Sequence, residues 1–259
     1  MQIENKIFKD FMKKRLDTQN NWLYMNITND GIELMSCDSS TVAMSSSKLD
    51  KKCVKQVCDI TGKVLINNID RYNKVINNIG NSKDITIDIT DNNIIIKTDT
   101  EVHTLCRMDE QTLEDFPIPN LNYDDGISFS IRKDMLNRIV DMAGTFSVKD
   151  KPILRFIVTK TSINYKMEVN DESVEGIPIK ILTPNDKEFE VTFIMDYFIK
   201  IVSCLTAENI RLNLKEDYPL QINEKLGDFI TTKFIIAPWI DNDEEVKGDE
   251  SATENMSEV

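Results

Sequence analysis

The chain repeats itself, and that duplication constrains its fold more than any single motif. Ile69-Asp70-Arg71-Tyr72-Asn73-Lys74-Val75-Ile76 leads, after a loop, into Asp84-Ile85-Thr86-Ile87-Asp88-Ile89. Far downstream, Met195-Asp196-Tyr197-Phe198-Ile199-Lys200-Ile201-Val202 leads into Asn209-Ile210-Arg211-Leu212-Asn213-Leu214. Each stretch is a short helical pattern followed by strict alternation. The first helix of each half matches loosely as well, Lys9-Asp10-Phe11-Met12 against Lys133-Asp134-Met135-Leu136. A duplication sets the architecture before motifs are weighed. Here it predicts two copies of one α+β unit, each of roughly 110–120 residues, an ordinary domain size.

Four segments carry helical spacing. In the first, Phe8, Phe11, Met12 and Leu16 share a face, with Lys6, Lys9, Lys13 and Lys14 on the other side; Arg15 falls in the apolar arc, where its stem can snorkel. The second buries Ile69, Tyr72, Val75, Ile76 and Ile79 and leaves Arg71, Lys74 and Asn78 outside. The third turns Met135, Leu136, Ile139 and Met142 inward and Lys133, Asn137 and Arg138 away. The fourth buries Tyr197, Phe198, Ile201, Val202 and Leu205 and exposes Lys200 and Ser203. Helices this short are marginal alone and must pack on sheets. Period-two segments rich in β-branched residues, at 84–97, 155–169, 188–193 and 229–236, supply the strands. Asn29-Asp30-Gly31 and Asp91-Asn92-Asn93 are turns between them. Helices on one face of antiparallel sheets make an α+β layout.

Charge is spread unevenly. Residues 241–259 hold eight acids against Lys247, so −7 of the net −13 lies there. That segment has no periodicity and reads as a disordered acidic tail. An acidic chain argues against a nucleic-acid surface unless positive charge gathers on one protected face. Chemistry for catalysis is thin. The five cysteines form no C-x-x-C pair and read as reduced structural thiols, and His103 is the sole histidine, so metal centres and Ser-His or Cys-His catalysis lack their parts. No metal, no cofactor and no catalytic residue is expected. No run of about 18 apolar residues is present and the N-terminus lacks an apolar signal region, which predicts an intracellular protein with no membrane partner. The one long aperiodic stretch inside the chain, residues 108–125, carries Leu113, Phe116, Ile118 and Leu121, with Pro117 and Pro119 fixing an extended backbone. Such side chains either dock on the domains or present a binding site. The expected domains are 1–107, a connecting loop 108–125, 126–240, and the tail 241–259.

Three segments resemble one family. Asp30-Gly31-Ile32-Glu33-Leu34 followed by Asp38-Ser39-Ser40-Thr41-Val42-Ala43, the loop ending Phe116-Pro117-Ile118-Pro119, and Tyr218-Pro219-Leu220 with Phe234-Ile235-Ile236-Ala237-Pro238-Trp239-Ile240 are similar, in order and spacing, to the signatures of the archaeal, eukaryotic and viral DNA sliding clamps, the proliferating cell nuclear antigen family. The resemblance runs along residues 6–240. It implies two sliding-clamp domains with sheets outside and helices inside, and a trimeric ring around duplex DNA held without regard to sequence. It further implies a processivity factor for replication and repair, with no enzymatic activity. Its partners would be a DNA polymerase, a clamp loader, a flap endonuclease and a DNA ligase, the clients docking through a short peptide motif.

Carried onto this chain, the resemblance assigns Lys9, Lys13, Lys14, Arg71, Lys74, Lys133, Arg138 and Lys200 to the lining of the hole. Asp196 and Ser203 stand where relatives place basic residues, so the lining is less positive than usual. The client-peptide pocket would be walled by Cys37, Thr41, Met44, Phe116, Ile118, Pro119, Ile235, Ala237 and Pro238, with Thr41 where many relatives have histidine. The edge strands at 102–107 and 173–180 would join subunits through Val102, Leu105, Cys106, Val174, Ile177 and Ile179. Two alternatives stay open: a subunit of a heterotrimeric, checkpoint-type clamp, and a clamp-fold scaffold that binds peptides without encircling DNA.

Overall fold

A computed structural model of the chain describes residues 1–16, 22–56, 62–66, 69–80, 82–107, 119–146, 150–181 and 185–240. The N-terminal half runs β1 (Gln2–Glu4), α1 (Asn5–Met12), β2 (Trp22–Thr28), β3 (Gly31–Cys37), β4 (Ala43–Asp50), a 3-10 turn (Lys51–Cys53), β5 (Val54–Gln56), β6 (Gly62–Ile66), α2 (Ile69–Asn78), β7 (Asp84–Ile89), β8 (Asn93–Lys97) and β9 (Val102–Cys106). The C-terminal half repeats that order with β10 (Ile127–Arg132), α3 (Lys133–Ala143), β11 (Ile153–Val158), β12 (Ser162–Val169), β13 (Glu172–Glu175), β14 (Ile179–Lys180), β15 (Phe189–Ile194), α4 (Met195–Cys204), β16 (Asn209–Leu214), β17 (Leu220–Leu226) and β18 (Ile230–Ile236).

The strands form three antiparallel sheets, in orders β5-β1-β7-β8-β9, β10-β16-β17-β18-β4-β3-β2-β6 and β13-β12-β11-β15, with β14 also on β12. The eight-stranded sheet crosses from one half to the other where β18 pairs β4, Ile230 opposite Leu49 through Ile236 opposite Ala43. Each half packs its own five-stranded sheet and helix pair against its share of the long sheet, giving two apolar cores. Strict alternation explains the inward rows: Ile85, Ile87 and Ile89 of β7 are buried, as are Ile210, Leu212 and Leu214 of β16.

The ladders also fix which residues correspond. Ile3 of β1 lies opposite Ile85 and Ile131 of β10 opposite Ile210, so α1 and α3 begin together at Asn5 and Lys133. The match of Lys9 with Lys133 is therefore one helical turn out. A shift of four residues keeps the same helix face, which is why periodicity did not expose it. The repeat breaks at one place: β5 pairs β1, whereas its counterpart β14 pairs β12.

The join between the halves is polar where an apolar core would be expected. Ser36 and Ser45 share a 2.7 Å hydroxyl hydrogen bond, and Leu16 N–H donates to Ser36 Oγ at 2.9 Å. The Ser47 hydroxyl reaches both Lys14 O and Thr232 Oγ1 at 3.1 Å. Beside them Lys14 and Glu224, both fully buried, form an ion pair of 2.7 Å. The Lys14 ammonium also donates to Cys204 O at 2.9 Å and Thr206 Oγ1 at 2.6 Å. Glu224 Oε1 accepts from Thr206 N at 2.5 Å and Ala207 N at 2.6 Å. Burial holds the Lys14 ammonium below the ordinary lysine range, and Glu224 opposes that shift.

Candidate functional site

Three surfaces carry chemistry, and each is built by particular elements. The first is the layer of helices. The Lys9 ammonium donates to Ile79 O at the end of α2 (2.7 Å), Lys14 ties α1 to the end of α4, and the Lys133 ammonium donates to Leu205 O after α4. The four helices are thereby linked in the order α2, α1, α4, α3. Outside this layer Lys6, Lys13, Arg71, Lys74 and Arg138 are exposed, while Lys9, Lys133 and Lys200 are half-buried. Lys13 lies 3.8 Å from Asp10, and Lys200 sits 5.5 Å from the Tyr197 ring centroid.

Lys14 is a correction. It was expected on this face, but α1 ends at Met12 and the chain turns inward, which carries the side chain to Glu224. The face is also lopsided. Among the described side chains α1 and α2 present Lys6, Lys9, Lys13, Arg71 and Lys74 against Asp10, whereas α3 and α4 present Lys133, Arg138 and Lys200 against Asp134, Asp141 and Asp196. The positive potential therefore belongs to the N-terminal half.

The second surface is an apolar row on the outer side of the long sheet, the candidate slot for a client peptide. Cys37 lies directly opposite Met44, and Met44 opposite Ile235, so three neighbouring strands set these side chains in one row. Ala237 N–H extends the ladder to Val42 O at 2.7 Å, which brings Ala237 and Pro238 alongside. The loop at the head of the slot is pinned by Asp38. Its Oδ1 accepts from Ala43 N at 2.7 Å, and its Oδ2 accepts from Ser40 N at 3.2 Å and from the Tyr197 hydroxyl at 2.9 Å. Thr41 closes that loop at φ 56°, exposed at its tip. Burial pushes the Cys37 thiol up to about 11, and burial with the Asp38 hydrogen bond pushes the Tyr197 phenol up to about 12.

Pro119 is exposed near the loop's end; Phe116 and Ile118 lie outside the described residues. Two tyrosines not singled out from the sequence hold the end of the connecting loop. Tyr123 and Tyr218 meet edge to face at 5.3 Å, the Tyr123 hydroxyl donates to Pro219 O at 2.6 Å, and Asn122 N–H donates to Tyr218 Oη at 3.1 Å. The signal was present as Tyr218-Pro219, read only as a signature.

The third surface is a pair of sheet edges. One five-stranded sheet ends at β9 and the other at β13. Val102 is 64% exposed and Ile177 71%, large apolar side chains facing water. Cys106 is exposed and Val174 half-buried. Leu105 and Ile179 depart from the expectation: Leu105 is buried in its own half, and Ile179 of β14, opposite Ile163 of β12, packs against the C-terminal core. Among the described residues no group of three or more His, Cys, Asp or Glu is placed to hold a metal, and no helix is long and apolar enough to cross a membrane.

No protein-family model matches the chain. A protein of Nanoarchaeum equitans named DNA polymerase sliding clamp is 27% identical over 128 residues, covering 48% of this chain and 51% of its own. The chain is thus matched to about half the length of that curated relative. Among solved structures, A. fulgidus PCNA bound to the C-terminal region of FEN-1 is similar with TM-score 0.76 at 15% identity, covering 93% of this chain and 98% of its own. PCNA from Entamoeba histolytica is similar with TM-score 0.77 at 18% identity, covering 92% and 98%. With four helices among the described residues, antiparallel sheets and two domains in one chain, the protein has the fold of the proliferating cell nuclear antigen clamps.

Proposed function

We propose that this chain is a DNA sliding clamp without catalytic activity. Three copies join head to tail into a ring whose helices surround duplex DNA, and client proteins dock a short peptide motif in the slot of Cys37, Met44, Ile235, Ala237 and Pro238. The observation that carries this is the joint inside the chain, together with two unpaired edges that repeat its two sides. By the ladders, Val102, His103, Thr104 and Leu105 of β9 occupy the positions of Lys233, Phe234, Ile235 and Ile236 of β18. Glu172, Ser173, Val174 and Glu175 of β13 occupy those of Ala43, Met44, Ser45 and Ser46 of β4. A second copy can therefore pair β13 with β9 as β4 pairs β18, burying edges that would otherwise aggregate. A head-to-tail contact closes when its rotation divides the circle. DNA contact would come from the cationic faces of α1 and α2, as phosphate neutralisation indifferent to sequence.

The test is the native mass of the purified chain by light scattering across a dilution series. The expected species has three times the 29.8 kDa of one chain. A monomer at every concentration would overturn the self-closing ring and leave a subunit that needs unlike partners. Absence of nuclease and hydrolase activity in the same preparation is expected alongside.

A further inference from the structure

The outer face of the long sheet carries positive charge on a strongly acidic chain. One cross-strand row reads Ser130, Arg211, Asn223, Lys233, Ser46; the next reads Lys225, Thr231, Lys48. With strands about 4.8 Å apart, Arg211, Lys225, Lys233 and Lys48 fall within a patch of roughly 15 Å. These residues line an open groove of about 450 Å³ that straddles the joint between the halves. Its rim carboxylates lie to either side, Glu33 at 3.9 Å from Lys48 and Asp228 at 3.1 Å from Lys225. Arg211 Nε donates to Ser128 Oγ at 2.6 Å, a neutral partner. The helices already offer a cationic face, so this second one, on the opposite side of the sheet, is not used by the function proposed above.

We propose that the groove is the docking site of the chain's own acidic C-terminal segment, residues 241–259. Three observations converge on that occupant. The segment carries eight carboxylates and one lysine, complementary to a groove with four cations. It is tethered to the right strand: Lys233 and Thr231 lie on β18, and Ile240 lies only seven positions beyond Lys233, at most about 25 Å of chain. At about 3.3 Å per residue the segment spans roughly 60 Å, enough to double back and cover both rows. Such a tether holds its end at a millimolar effective concentration, so weak charge pairing suffices.

Zero-length carbodiimide coupling of the full chain, read by mass spectrometry, tests this. The reagent joins only carboxylates and amines already in contact. Links from Glu244, Glu245, Asp249, Glu250, Glu254 or Glu258 should fall on Lys48, Lys225 and Lys233 several-fold above Lys97 or Lys187. They should fade at high salt and drop several-fold at Lys48 in an Arg211→Glu/Lys233→Glu chain with unchanged circular dichroism. Equal yields at all exposed lysines, or persistence in that variant, would overturn the proposal. Mixing ¹⁵N-labelled and unlabelled chains separates the source. Links within one isotope set support the tail's own groove; mixed links place it on a second copy and overturn it. None of these readouts requires a ring or DNA, so their outcome is independent of the clamp reading.

Discussion

Lys14 shows how a residue's role is set by where its helix stops. Two residues past the end of α1 it is wholly buried, its ammonium 2.7 Å from the Glu224 carboxylate and donating to Cys204 O and Thr206 Oγ1. Breaking a buried pair strands the remaining charge, at about 3–5 kcal/mol. Lys14→Met should lower unfolding stability by that order in a urea titration. The double substitution Lys14→Met/Glu224→Gln should be less destabilised than Lys14→Met alone, since glutamine removes the orphaned charge and still accepts from Thr206 and Ala207. Tyr197 gives a pH signature. Its phenol rises from the ordinary 10.0 to about 12 in the fold and Cys37 from 9.0 to about 11, so the unfolded chain loses these protons first. Fewer protons on the unfolded state make stability fall as pH rises. The loss should run through pH 9 to 12, and Tyr197→Phe should flatten its upper part in thermal melts taken across that range.

Elements differ in how plainly the sequence announces them. All four helices were legible, because each concentrates its apolar residues on one face, and so were β7 and β16, whose alternation is strict, and β8 and β18, whose β-branched residues mark them. β4 was not. Its sequence is Ala-Met-Ser-Ser-Ser-Lys-Leu-Asp, and the residues it buries include Ser45 and Ser47, held by hydroxyl partners on β3 and β18 rather than by apolar contact. Hydropathy cannot see a strand whose inward face is satisfied by hydrogen bonds formed only in the fold. The same blindness hid the partner of Lys14, which lies 210 positions away in Glu224. The pocket residues were proposed from a motif, whereas Tyr123 depends on a loop returning to Pro219. At this scale the edge strands make a sharp prediction. Val102 should face Glu175 of the neighbouring copy, close enough for a disulfide between opposed strands. A Val102→Cys/Glu175→Cys chain should give covalent dimers and trimers under mild oxidation and nothing larger on a denaturing gel. Longer ladders would mean an open filament.

At the scale of the whole molecule, the cationic balance of the helix layer decides how DNA would be held. The N-terminal pair of helices carries the surplus and the C-terminal pair is balanced. Lys13→Glu/Lys74→Glu should therefore weaken binding of a duplex more than Arg138→Glu/Lys200→Glu does. Each phosphate no longer neutralised should lower the slope of log affinity against log salt by about 0.9 in fluorescence anisotropy. Equal weakening by both pairs would assign DNA binding to the layer as a whole. The two joints of the repeat are unequal in a further respect. Inside the chain the seam is closed by hydroxyl bonds and the Lys14–Glu224 pair, and the polypeptide itself crosses it. At the free edges Val174 holds the position of Ser45, with Met142 where the α1–α3 equivalence puts the equivalent of Lys14. In a ring of such chains, every second seam is a hinge that cannot part and every other one a latch, so a machine that pries the ring open has its entry points chosen for it.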